Sequence, residues 1–562
     1  LDAPVEFAVV LPDGDTSPNL KPEFVVSVGL SSTDKARALL EEHIGQKLTE
    51  RPTSSYVTPE DAKVHCAIAP AIGKAASRLV CGDRARSLDH LLPFATRGLP
   101  LENLGAADLH AELRFESLRQ HFGAALRMGR TVAVPTILKS ISLSDARFDR
   151  PLADVAHAMG DELLDLFDDV DRIAIDLNAS AKPEQLDLKL TFAYRGRTSL
   201  ISQATGEARQ RMTPPTAQFY DLPADATFAA YVAASDPKYV ERPRALTEAL
   251  VEGLLAHFEV GTGLRRDVRA AFDTMFNINS PMVMAYGNVA AAEKVTPSAR
   301  DRLGMAFGWR VYGLEAPSEP YKAALKTATR LSADKAMAKG INDLFAKLGE
   351  STIETAKANS KDKNKSTASD WVKLRSKGIA GMPAGSEVIS VEFTAEATKE
   401  LLSSSVRKSK AKPAGAAPAE AVQALFAIVP DGTRTWFIFA MDDKTLLDRS
   451  KAVLTTSKVP RLSTRSDING LRGQAVNQAG FATLGTAKGW LQMALLERGK
   501  SAKDAESLFS SVPHHGNTPM PYRVVVVGDD KRQNVELSTT IPRAVFDDAA
   551  AAVPTLMTLS PD

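Results

Sequence analysis

Short apolar runs along this chain alternate with polar stretches that look like helix caps and turns. Phe7 to Leu11 (FAVVL) and Phe24 to Leu30 (FVVSVGL) read as buried strands, and Pro12-Asp13-Gly14 between them is a turn signal. Ser31 to Asp34 supplies N-cap oxygens for a helix over Lys35–Ile44. Val64 to Phe94 holds two further apolar runs, then Gly82-Asp83, then a helix over Arg84–Phe94. Leu109 to Phe115 alternates strictly. Leu109, Ala111, Leu113 and Phe115 share one face and His110, Glu112 and Arg114 the other, as a half-buried antiparallel strand requires. Helical patterning fills residues 116–170, most clearly Leu152–Val170. The period then becomes two. Ile173, Ile175 and Leu177 lead through a turn at Ala181-Lys182-Pro183-Glu184 into Leu186, Leu188, Leu190, Phe192 and Tyr194, the strongest hairpin signal in the chain.

Beyond the breaker Thr213-Pro214-Pro215-Thr216, a turn at Leu222 feeds a strand through Phe228. Residues 243–276 and 289–303 are helical in pattern, with strands at Met282–Tyr286 and Met305–Leu314, and Ala333–Leu348 is again helical. Lys357–Lys377 carries seven Lys/Arg against Asp362 and Asp370 and reads as a solvated loop or helix end. A strand at Val388–Phe393 precedes a helix at Ala395–Leu402, and Lys408–Pro418 is low-complexity linker. Strands follow at Leu425–Val429 and Trp436–Ala440, around Pro430-Asp431-Gly432, then a helix at Asp442–Leu454. Phe481–Leu496 reads mostly as helix. Strands at Tyr522–Val527 and Asn534–Ile541 and a closing helix at Phe546–Leu556 end the pattern. The fold class predicted is α+β, with mostly antiparallel sheets and helices packed on one face. The division predicted is 1–212, 213–405, a linker at 406–420, and 421–562.

Three segments share one plan: FVVSVGLSSTDKARALLEEHI from Phe24, RLVCGDRARSLDHLLPFA from Arg78, and TWFIFAMDDKTLLDRSKAVL from Thr435. Each is an apolar strand, polar capping residues and a Leu-bearing helix, a pattern that suggests internal duplication of β-α units. Pro-Asp-Gly at Pro12 and at Pro430 supports two halves on one plan. The strand-LVCGD-helix phrase at Leu79–Asp83, the alternating hairpins and the run Gly480-Phe481-Ala482-Thr483-Leu484 resemble uncharacterised exported bacterial proteins of large α+β type. That resemblance implies export and a repeated α+β fold, and transfers no catalytic residue.

Composition adds the compartment. With 69 basic and 68 acidic residues in 562, the chain carries no field that would recruit nucleic acid or a membrane surface. No apolar run is long enough to span a bilayer. The chain opens on Leu1-Asp2-Ala3-Pro4 rather than Met, as a mature exported chain would. Its only two cysteines, Cys66 and Cys81, fall in neighbouring apolar runs. A cross-strand disulfide fits an oxidising compartment, periplasmic or extracellular, and two buried thiols are the alternative.

Candidate chemistry is sparse. Gly261-Thr262-Gly263 lacks the third glycine of a dinucleotide fingerprint, having Arg266 there. Ser32/Lys35 and Ser332/Lys335 match Ser-x-x-Lys, and both serines read as helix caps. His514-His515 lies in a polar loop, and His65 and His110 read as surface residues. Asp161, Glu162, Asp165, Asp168, Asp169 and Asp171 form an acidic stretch that reads as a solvated helix face opposite Leu163, Leu164 and Phe167. No catalytic, cofactor-binding or metal-binding residue is assigned, and no cofactor is expected. The expected role is a non-enzymatic binding or structural subunit of a cell-envelope or extracellular assembly. It would have a protein partner, no nucleic acid and no membrane span, and self-association is left open. The alternatives are a hydrolase or peptidase-like enzyme with a site assembled from distant segments, and a small-ligand carrier.

Overall fold

A computed structural model describes residues 5–10, 22–51, 55–59, 62–70, 77–98, 107–276, 279–289, 298–337, 340, 372–395, 398, 420–497, 502–529 and 532–559. It is an α+β structure of antiparallel sheets and helices, in two compact units, Leu1–Gly129 and Arg130–Asp562. The expected boundary near residue 212 is not one of these divisions. The expected linker at 406–420 lies almost wholly outside the described residues, as does Pro12-Asp13-Gly14, and of the expected helix at Ala333–Leu348 only residues 333–337 and 340 are described.

The first unit contains β1 (Val5–Val10), β2 (Glu23–Leu30), α1 (Thr33–Ile44), β3 (Thr49–Arg51), β4 (Ser55–Val57), β5 (His65–Ala69), β6 (Ser77–Gly82), α2 (Ala85–Pro93) and β7 (Leu109–Arg114). Six strands pair antiparallel in the order β1-β2-β6-β5-β4-β3. Alternation gives the sheet two unlike faces. Ala8, Val25, Ala67 and Val80 point to a core completed by Leu88 and Leu91 of α2. Glu6 and Arg78 form an ion pair on this buried face, where Arg78 Nε also donates to Ser27 Oγ at 2.6 Å. Burial pushes the Glu6 carboxyl up, against the opposing pull of Arg78. On the other face Val5, Phe7, Val9 and Phe24 are exposed, Phe7 by 69%. One row across the sheet runs Phe7, Val26, Cys81, Cys66, and the two cysteines, directly opposed, form a disulfide.

β7 inverts its expected faces. Leu109 and Leu113 are about half exposed, at 52% and 49%, while His110 and Glu112 are the half-buried pair. Alternation was legible there, but the choice of which face to bury was not.

The second unit holds α4 (Ala146–Asp169), which follows α3 (Phe115–Ile141), then β8 (Val170–Ala181), β9 (Glu184–Tyr194), α5 (Leu200–Ala208), α6 (Ala217–Tyr220), β10 (Phe228–Val232), α7 (Lys238–His257), α8 (Thr262–Phe276) and β11 (Met282–Gly287). It continues through α9 (Ala299–Phe307), β12 (Trp309–Leu314), α10 (Glu319–Ala333), β13 (Val372–Ser376), β14 (Glu387–Phe393), β15 (Val422–Asp431), β16 (Arg434–Ala440), α11 (Asp443–Ala452), β17 (Gln478–Ala482), α12 (Lys488–Glu497), α13 (Ala502–Ser511), β18 (Met520–Gly528), β19 (Gln533–Pro542) and α14 (Arg543–Leu559). These strands join one antiparallel sheet, in the order β13-β14-β15-β16-β12-β11-β10-β17-β18-β19-β9-β8. Strands expected in three separate domains therefore lie side by side.

The order is palindromic about the β10–β17 pair. Outward from β10 come β11 and β12, then the β16–β15 hairpin; outward from β17 come β18 and β19, then the β9–β8 hairpin. Each hairpin thus pairs with strands from the other stretch of chain. The connections match in part: among the described residues two α-helices lie between β10 and β11 and two between β17 and β18, while the β8–β9 hairpin is followed by α5 and the short α6 and the β15–β16 hairpin by α11 alone. In the central pair Tyr231 faces Ala479 and Phe481 faces Ala229, so each buried ring lies opposite an alanine. At the midpoint Ala230 faces Gly480, where any Cβ would strike the Ala229 carbonyl and fall 2.9 Å from the Ala230 Cα.

One face of this sheet is sealed. Ala229, Tyr231, Val283, Ala285, Trp309, Val311, Leu425, Ala427, Trp436 and Ile438 pack there with Phe219, Leu446 and Leu462 into a single core. The opposite face is only partly covered, by α9 over Ala424, Val391 and Phe439 and by α10 over Phe426 and Phe437.

Several local expectations change. Met305 to Phe307 close α9 instead of opening a strand, because Gly308 turns the chain with φ +56° before β12 begins at Trp309. Phe481 belongs to central strand β17 rather than to a helix. The end of the Lys-rich segment, Val372–Ser376, is a strand, and the rest of it is outside the described residues. All three strand-cap-helix units form. Ser32 and Asp442 accept capping hydrogen bonds from the Lys35 and Thr445 amides, whereas Arg84 at the middle cap makes none.

Two outcomes are expected. Cys66→Ala/Cys81→Ala lowers the unfolding free energy of the first unit by about 3 kcal/mol, the chain-entropy value for a loop of this size, read from denaturant titration with and without reductant. Gly480→Val drives a branched side chain into backbone and costs the second unit about 3 kcal/mol, read as a lowered denaturation midpoint.

Candidate functional site

On the partly covered face, β10 to β12 form the floor of a cleft of about 270 Å³ lined by Phe228, Met284, Tyr286, Arg310, Tyr312 and, at its rim, Ala306 of α9. Register brings these side chains together: Phe228 lies opposite Tyr286, Tyr286 opposite Arg310, and Met284 opposite Tyr312. The positive φ of Gly308 starts β12 in the phase that sends Trp309 into the sealed core and Arg310 to the opposite face. Phe228 of β10 stacks on Tyr522 of β18 across the intervening β17, with centroids 6.5 Å apart and planes at 21°. Burial pushes the Tyr522 phenol up to about 12. It also raises the Tyr286 phenol, an effect the neighbouring Arg310 charge opposes.

Arg310 is the unusual member. Its guanidinium stands 5.7 Å from the Phe307 ring centroid and 6.0 Å from that of Phe439. Among the described residues no carboxylate forms an ion pair with it. Arginines on the sealed side are bound differently. Arg449 lies 4.1 Å over Trp309 and grips Asp225 with two 2.7 Å hydrogen bonds, and Arg434 and Arg461 share Asp221 at 2.8 and 2.6 Å.

Compared with protein-family models, with curated proteins and with solved structures, the chain matches none.

A larger cleft, about 510 Å³, runs between α4, α7 and α8 and is lined by Arg147, Glu248, Glu252, Gly253 and Arg269. Its charges satisfy one another: Glu248 pairs with Arg269 at 2.8 Å and Glu252 with Arg265 at 3.1 Å. Beside it Asp145 Oδ2 meets His257 Nδ1 at 2.7 Å, an Asp–His pair the sequence reading missed because its members stand 112 positions apart. Among the described residues no hydroxyl or thiol bonds His257, and Ser142 donates to Asp149 instead. Asp145 accepts from the Arg147 amide at the start of α4, so the pair caps one helix and docks the end of α7 on it.

The residues singled out in the sequence scatter. Asp161 pairs with Arg130. Glu162 accepts the Leu200 and Ile201 amides at 2.9 and 3.1 Å, and buried Asp169 accepts those of Thr198 and Ser199, both at 2.7 Å. The acidic stretch is therefore in part a clamp on the start of α5 rather than only a solvated face. Leu163, expected to pack, is 66% exposed. Burial, reinforced by its acidic neighbours, raises the Asp165 carboxyl. Ser32 is a cap, as expected. Ser332 is not; it sits in the last turn of α10 and accepts the Leu374 amide at 2.9 Å, tying β13 to that helix. Asp548 accepts the His514 and Gly516 amides at 2.6 and 2.8 Å, which fixes the exposed His514-His515 loop. Among the described residues no group of His, Cys, Asp and Glu is placed to hold a metal ion, and no helix is long and apolar enough to cross a membrane.

Asp145 gives a pH-dependent expectation. The hydrogen bonds from Arg147 and then His257 hold its carboxyl well below the usual carboxylate range. Its stabilising effect is present above an ordinary carboxylate pKa of about 4 and disappears as pH falls through the lower folded value. Asp145→Asn therefore lowers the thermal midpoint at pH 7, and the gap from wild type narrows between about pH 4 and pH 2.

Proposed function

We propose that the protein is an exported, non-enzymatic binding or structural subunit of a cell-envelope or extracellular assembly. The observation that carries this reading is the first unit's crosslinked sheet, whose disulfide-bearing face presents Val5, Phe7, Val9 and Phe24 to solvent along its β1–β2 edge. Contiguous exposed apolar side chains favour burial against a partner, and a disulfide favours an oxidising compartment. The palindromic sheet of the second unit supports the accompanying reading of two related halves.

Protein isolated from its native source under alkylating conditions tests the proposal. The expected result is a species larger than a single chain, with Cys66 and Cys81 refractory to alkylation until reduced. Phe7→Ser/Phe24→Ser, with an unchanged circular dichroism spectrum, is expected to run at the mass of one chain. A wild-type protein running at the mass of one chain, or thiols that alkylate without reductant, would overturn it. So would hydrolytic turnover that vanishes in His257→Ala.

A further inference from the structure

We infer that the β10–β12 cleft binds the carboxylate end of a small aromatic or alkyl acid. This rests on the reading of the protein as a binding subunit and names a ligand class for its second unit. The cleft joins an apolar, aromatic floor of Phe228, Met284, Tyr286 and Tyr312 to one cation, Arg310. A guanidinium half-buried among rings has lost part of its hydration, and no described carboxylate replaces it. Helix α9 ends at Phe307, so its negative dipole end lies near Arg310, but that end is equivalent to only about half a charge. The remaining positive charge suits a monoanion.

Three features narrow the class. A planar guanidinium offers two parallel N–H donors that match a carboxylate. A phosphate dianion would want a second cation or a set of free backbone N–H groups. The lining provides neither: it holds no second cation, β10, β11 and β12 spend their amides in the sheet, and Thr486, which also lines the cleft, gives its amide to the Thr483 carbonyl and its hydroxyl to the Thr227 carbonyl. A volume of about 270 Å³ falls below the range of about 300–1,000 Å³ usual for whole drug-sized ligands, so the cleft holds the acid end and the first ring or few methylenes.

Isothermal titration of the full chain with 4-phenylbutanoate, 4-phenylbutanamide and phenyl phosphate tests this. The carboxylate is expected to bind about tenfold or more tightly than the amide, the advantage of a charge-assisted hydrogen bond, and more tightly than the phosphate. Arg310→Met is expected to erase the preference over the amide with an unchanged melting profile, and Arg310→Lys to keep part of it. Equal binding of acid and amide, a preference for the phosphate, an unaffected Arg310→Met, or no binding at millimolar ligand would each overturn the inference. The size of the native complex is measured without these ligands, so the subunit reading stands or falls separately.

Discussion

The second unit depends on one antiparallel contact, five residues of β10 against five of β17. Everything outward is built on it in matched order, and it tolerates almost no bulk at its midpoint. Ala230 and Gly480 keep the two backbones close, while Tyr231 and Phe481 supply the volume on the sealed face, each over an alanine of the opposite strand. Close-packed interiors reward this kind of large-against-small complementarity, since a void or an overlap of one methyl group is felt. The exchanged hairpins then follow from geometry. Once β10 and β17 lie together, each flank is three strands wide and still has an open edge at β12 or β19. The hairpin that closes each edge comes from the other stretch of chain.

The same period-two alternation that builds the core also makes the cleft. On β12 it sends Trp309 and Val311 down and Arg310 and Tyr312 up; on β11 it sends Val283 and Ala285 down and Met284 and Tyr286 up. A one-residue change of phase would bury the arginine and expose the tryptophan, which is why the positive φ of Gly308 matters beyond its own turn. In the first unit, alternation places the disulfide row and the exposed apolar stripe on one face and the Glu6–Arg78 pair on the other. The sheet's burial pattern is thus unlike that of a simple amphipathic sheet, with a charge pair inside and Phe7 outside.

Most strands and helices were legible because their periods are long and clean, as in Val170–Tyr194 and Val422–Ala440. The central strand was not. Gln478–Ala482 is short, with Ala and Gly where a strand usually carries branched residues, and those small residues answer to a partner 250 positions away. Pairings between β9 and β19 or β12 and β16, which join distant stretches of the chain into one sheet, likewise leave no local mark on the sequence. Arg310 was overlooked because the surrounding stretch read as one long strand, Met305–Leu314, and a lone arginine has no motif. That no carboxylate among the described residues pairs with it is a property of the fold. The disulfide was legible because its two cysteines sit in adjacent strands 15 positions apart.

Hairpin exchange also sets a timetable for the growing chain. The edge of β9 has nothing to pair with until β19 is made, and Asp187 waits for Thr540, 353 positions later, to accept its hydroxyl. During that interval an eleven-residue strand with alternating Leu and Phe stands open, the kind of edge that recruits foreign strands. Closing so long a loop adds only slowly to the entropy cost, but it delays the reward until nearly the whole polypeptide is present. A chain wired this way completes the sheet of its second unit only when its last strand has been made.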